Sequence, residues 1–161
     1  DALPISFSAG LLCGIIPRMK AKAEKIYRPD TRTKRPLPLF LERVSAGFPS
    51  PAADYEEGRL DLNRYLIKNP PATFFVRVAG DSMIGAGIHP GDLLVVDRSL
   101  EPRDKNVVIA ALNGELTVKR LKRTATGWLL QAANPDFPDI PVPSKSELNI
   151  WGVVTRVLHA V

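Results

Sequence analysis

Residues 106–122 read NVVIAALNGELTVKRLK, two runs rich in apolar and β-branched residues on either side of Asn113-Gly114. An Asn-Gly pair accepts the positive φ angles that a type I′ turn demands, so the stretch predicts a tight β-hairpin. With a two-residue loop, Leu112 pairs with Glu115 and Val108 stands opposite Lys119. Side chains alternate along a strand, so Lys119 shares a sheet face with Val108, Ala110, Thr117 and Leu121. The hairpin thus sets the fold class and places one amine in a mostly apolar neighbourhood.

The same signals recur on both sides. ATFFVRVAG (72–80), DLLVVDRS (92–99), GWLLQAAN (127–134) and IWGVVTRVLHAV (150–161) are each rich in β-branched or aromatic residues and bounded by turn residues. Fifteen prolines and eleven glycines count against a helical bundle. A chain of 161 residues, 45% hydrophobic, can bury one core and carry an appendage. The expectation is a mainly β fold, a compact barrel or sandwich of short strands with a flexible N-terminal arm. Residues 58–71, GRLDLNRYLIKNPP, add a short helix or turn before a Pro-Pro stop.

The net charge of +5 is unevenly spread. Residues 1–46 carry nine lysines and arginines against four acids, whereas residues 47–161 carry thirteen of each. Any affinity for polyanions therefore belongs to the N-terminal part, although a solvated basic tail explains the same charges. Residues 19–38 are basic, broken by Pro29, Pro36 and Pro38, and show little periodicity, so they read as a flexible arm. LFLERVSAGFPSPAADY (39–55) reads as an extended strip, because prolines bias the residues before them toward extended geometry.

Residues 1–18, DALPISFSAGLLCGIIPR, contain no methionine. Their apolar run is too short for a bilayer, which needs ~20 residues, and its positive charge follows the run, unlike a secretory signal. The expectation is that the natural chain starts at Met19 and that residues 1–18 are non-native or translated from upstream. Cys13 is the single cysteine, which excludes an internal disulfide, and His89 and His159 stand far apart in sequence. No Cys/His cluster has metal-ligand spacing, so neither a metal nor a cofactor is expected, and a cytoplasmic location fits.

GDSMI (80–84) follows a strand ending at Gly80 and precedes Gly85-Ala86-Gly87, so Ser82 is presented from a turn open to a substrate backbone. A lysine with its free pKa of ~10.4 is almost wholly protonated at neutral pH. Burial among apolar neighbours penalises the ammonium form, which lowers the pKa and makes Lys119 a candidate general base. Such an amine activates a serine hydroxyl without histidine, and the backbone N–H groups of Ser82 and Met83 could hold an oxyanion. Two plainer readings compete. An Asp-Ser pair after a strand is commonly turn chemistry, and a hairpin lysine is commonly a solvated edge residue. Local pattern does not choose between them.

SAGFPSPAADY (45–55), LDLN (60–63), GDSMIGAGIHPGDLLVVDRS (80–99), VVIAALNGELTVKRL (107–121) and WGVVTRVLH (151–159), in this order, closely resemble the LexA/UmuD family of self-cleaving Ser-Lys peptidases. The resemblance runs from about Leu37 to Val161 and implies a LexA-like fold. It implies Ser82 as nucleophile, Lys119 as general base and Ala46-Gly47 as the bond cleaved. The separations, 36 residues from Ala46 to Ser82 and 37 from Ser82 to Lys119, agree with the family pattern. Ala46 before the scissile glycine is similar to LexA, where the UmuD pattern has cysteine, and the basic arm is longer than in the family.

The resemblance further implies an SOS-response peptidase stimulated by a RecA filament on single-stranded DNA. Cleavage would remove the arm, residues 19–46, and leave residues 47–161 as a dimer serving a catalytic, UmuC-like Y-family polymerase subunit in translesion synthesis. No membrane association and no sequence-specific DNA binding are expected. A truncated LexA-type repressor is the weaker alternative, because residues 19–45 show no helix-turn-helix pattern. A signal peptidase would need a membrane anchor. The alternative from another class is a polymerase accessory subunit with an idle dyad.

Overall fold

The structure, a computed structural model, describes residues 22–40, 56–112, 114–142 and 149–161. The expected segment 1–18 and the Ala46-Gly47 bond lie outside the described residues. The elements run β1 (Lys22–Tyr27), β2 (Pro36–Phe40), β3 (Glu56–Asp61), α1 (Leu62–Leu66), β4 (Thr73–Ala79), β5 (Leu93–Asp97), β6 (Val107–Leu112), β7 (Glu115–Thr124), β8 (Gly127–Gln131), β9 (Ile140–Val142) and β10 (Asn149–Leu158). Residues 30–68 form one compact unit, and residues on either side of them form another. The mainly β expectation holds.

The hairpin of residues 106–122 has the register that its two-residue loop requires. Leu112 pairs with Glu115 and Val108 with Lys119. Around it the larger unit builds one eight-stranded sheet in the order β1-β4-β5-β10-β6-β7-β8-β9. Strand β7 carries two partners on the edge away from β6. Near its start Thr117 faces Lys22 of β1, and from Arg120 onward it pairs with β8. The sheet therefore curls until β1 meets β7, closing a six-stranded ring from which β8 and β9 extend. Lys119 falls between these two pairings.

Alternation divides the core in two. Ile109 and Val118 pack with Val76, Val78, Met83, Ile88, Leu94 and Val96. The neighbours Val108 and Ala110 pack on the other face with Leu121, Leu130, Val142 and Val153. Each fully buried Val, Leu or Ile contributes roughly 1.5–3 kcal/mol relative to an exposed one, so both faces specify the register.

Parts of the segment expected to be a flexible arm are strands, β1 and the start of β2. Residues 22–27 form β1, antiparallel to β4 from Lys22 opposite Ala79 to Tyr27 opposite Phe75. A strand written KAEKIY has too little apolar content to announce itself. What holds it is the backbone of β4, Ile26 packed against the core, and the Arg28 guanidinium 5.6 Å from the centre of the Phe74 ring. Strand β9 is equally silent in sequence, being three residues with Pro141 at the middle, which a terminal strand of a sheet tolerates.

In the smaller unit β2 and β3 pair antiparallel, from Pro36 opposite Asp61 to Phe40 opposite Glu56. Residues 41–55 connect them. The expected short helix is α1, capped by Asp61, whose side chain accepts from the Asn63 N–H at 3.0 Å. Such a cap contributes ~1 kcal/mol. Among the described residues no helix is long and apolar enough to cross a membrane.

Candidate active site

Strand β4 delivers the chain to Gly80, whose φ of 84° turns it into Asp81-Ser82-Met83. A short 3-10 turn, Ile84–Ala86, follows and is closed by Gly87 at φ 73°. Met83 anchors this turn in the core with 1% of its surface exposed. Its carbonyl accepts from the N–H of Ala86 at 2.9 Å and of Ile88 at 3.3 Å.

The turn is also clamped from outside by the chain after β8. The Ala133 N–H donates to the Ser82 carbonyl at 2.9 Å, and the Gly85 N–H donates to the Ala133 carbonyl at 2.7 Å. Asn134, buried, donates through Nδ2 to the Asp81 carbonyl at 3.1 Å. Residue 85 has to be glycine for this approach, because a Cβ there would lie 2.3 Å from the Ala133 oxygen. Three hydrogen bonds therefore fix the backbone on both sides of Ser82. Among the described residues, no backbone carbonyl takes the N–H of Ser82 or of Met83.

Lys119 reaches this turn from β7. Its Nζ lies 2.9 Å from Ser82 Oγ. Ser82 is 0% exposed and Lys119 1%, so the pair is shielded from water. Burial pushes the Lys119 amine below the ordinary lysine range, and the Asp139 carboxylate opposes that shift. Asp139 is itself fixed, accepting from the Ala132 N–H at 3.1 Å and from Gln131 Nε2 at 3.3 Å. A cleft of about 490 Å³ lies beside the clamp, lined by Gln131, Ala132, Ala133, Asn134, Phe137 and Asp139 among others.

The structure brings together two of the residues singled out in sequence, Ser82 and Lys119, with Met83 next in the chain. Ala46 and Gly47 lie outside the described residues. Ala133, Asn134 and Asp139 carried no signal, because their parts depend on where the chain after β8 folds back. The separation of the histidines in sequence was misleading. His89, Asp92 and His159 gather so that their ligand atoms lie within 4.8 Å of one another.

Residues 38–155 match the family model described as Peptidase S24-like. Over 122 residues the chain is 53% identical to Protein SamA of Salmonella typhimurium, covering 76% of this chain and 84% of that protein. It is 49% identical to Protein ImpA of Escherichia coli over 122 residues, covering 76% and 83%. To Protein MucA of Escherichia coli it is 46% identical over 123 residues, covering 76% and 84%. A buried serine and lysine in contact is the chemistry expected of a peptidase that works without histidine. The chain belongs to the S24-like peptidases, among the UmuD-type proteins, and is a self-cleaving serine peptidase of SOS mutagenesis.

Proposed function

We propose that Ser82 is the nucleophile and Lys119 the general base, and that their substrate is the Ala46-Gly47 bond of the same chain or of a partner subunit. The contact of 2.9 Å between Lys119 Nζ and Ser82 Oγ, both residues being buried, is the observation that carries this reading. Neutral Lys119 takes the Ser82 proton as Oγ attacks the Ala46 carbonyl. The oxyanion is held by the N–H groups of Ser82 and Met83. The lysine proton then passes to the Gly47 nitrogen as the peptide bond breaks, and water releases the acyl group from Ser82. Small residues at positions 46 and 47 suit this step, since they let the substrate backbone approach closely.

Cleavage would separate residues 19–46 from residues 47–161. The shortened chain acts as a dimer in the cytoplasm and joins a catalytic Y-family polymerase subunit in translesion synthesis. A RecA filament on single-stranded DNA stimulates the cut by favouring the cleavable arrangement. Mass spectrometry of the purified chain incubated with such a filament tests the proposal. A product beginning at Gly47 supports it, whereas a chain that stays whole points to an accessory subunit whose dyad is idle.

A further inference from the structure

The turn His89-Pro90-Gly91-Asp92 leads into β5, with the Asp92 N–H donating to the His89 carbonyl at 3.1 Å and Gly91 at φ 92°. Proline second and a positive-φ glycine third make this a type II turn, which sets residues 89 and 92 side by side. Strand β10 pairs with β5 up to Leu158 opposite Leu93, so the next residue, His159, arrives beside Asp92. Two histidines 70 positions apart thereby flank one carboxylate.

Asp92 is buried and both imidazoles are half-exposed. Asp92 Oδ1 lies 2.6 Å from His159 Nδ1, and Asp92 Oδ2 accepts from the His89 N–H at 2.8 Å. His89 Nδ1 is 3.8 Å from Asp92 Oδ2, shielded from solvent and without a hydrogen-bond partner among the described residues. The two rings are 5.0 Å apart. A buried imidazole nitrogen left unpaired is costly, and here it faces a carboxylate and a second imidazole.

We propose that His89, Asp92 and His159 bind one divalent transition metal ion, Zn²⁺ being the natural occupant. Two imidazoles and a carboxylate are borderline donors of the kind zinc takes, with water as the fourth ligand. Ligands at ~2.0–2.1 Å from zinc lie about 3.4 Å apart in a tetrahedron. The present donor atoms span a range around that value, from 2.6 Å to within 4.8 Å, so modest rotations of two half-exposed rings bring them into place. The site shares no residue with the Ser82-Lys119 pair. Its mechanical effect is to fasten the start of β5 to the end of β10.

Zinc binding is measured by isothermal titration and by competition with a chromophoric chelator. The full chain is used without a histidine tag and in the Cys13→Ser background, so that no foreign imidazole or thiol contributes. The expected result is one Zn²⁺ per chain and a melting temperature raised by a few degrees, with affinity reduced about tenfold or more in both His89→Ala and His159→Ala. Both rings being half-exposed, the variants should melt like the parent without metal, which is checked in the same series. Absence of saturable binding by the parent, undiminished binding by both variants, or loss in only one of them overturns the three-ligand site.

Discussion

Lys119 Nζ and Ser82 Oγ stand 2.9 Å apart with their side chains withdrawn from solvent. A hairpin and a turn 37 residues earlier in the chain meet at this pair. The hairpin register puts the lysine on an apolar face, and the clamp through Ala133 and Asn134 holds the serine still.

The first consequence is a pH dependence. Burial, opposed by Asp139, sets the Lys119 amine below the ordinary lysine value. With Lys119 as the proposed base only its neutral form can take the Ser82 proton, so the cleavage rate should rise about tenfold per pH unit below that pKa and level off above it. The plateau is reached at lower pH than an ordinary lysine would give. A rate still climbing with full slope past pH ~10.4 would place Lys119 outside the reaction.

Asp139→Asn removes the charge that holds the amine's pKa up, while an amide oxygen can still accept from the Ala132 N–H. The pH-rate profile therefore moves toward acid and cleavage at neutral pH quickens. Thermal melting should change little. An unmoved profile would mean that Asp139 is too well screened to matter.

Gly85→Ala places a methyl 2.3 Å from the Ala133 oxygen, a backbone atom that cannot swing aside. The Ser82 turn has to lift from its clamp. Misplacement of a nucleophile by about 1 Å costs on the order of 10²-fold in rate, and a lost clamp costs about 1–3 kcal/mol in stability. Cleavage kinetics and melting curves read the two effects separately. A variant that cleaves like the parent would show that the clamp does not position Ser82.

The proposed cleavage after Ala46 would remove the whole excess of positive charge and leave residues 47–161 balanced. Nonspecific DNA binding by the intact chain should therefore weaken on cleavage and fall steeply with salt. Retention on immobilised DNA across a salt series measures it. Equal, equally salt-sensitive retention by the intact chain and the 47–161 fragment contradicts the assignment of DNA affinity to the arm.

The sheet was legible wherever a strand carried its own apolar signal. Asn113-Gly114 fixed the register of β6 and β7, and with it the face on which Lys119 lies. Strand β1 was not legible, because its lysines and glutamate conceal a segment held by the backbone of β4 and by the core contact of Ile26. The same limit hid Ala133, Asn134 and Asp139, which act through backbone hydrogen bonds and charge that no residue type advertises. His159 escaped notice for a topological reason. Only the pairing of β10 with β5 carries it to Asp92.

The central claim, that Ser82 and Lys119 cut Ala46-Gly47, is tested by incubating purified chain at alkaline pH and following its intact mass. The expected result is a fragment beginning at Gly47 whose formation quickens as pH rises and disappears in both Ser82→Ala and Lys119→Ala. Cleavage that persists in either variant, or at another bond, would contradict it.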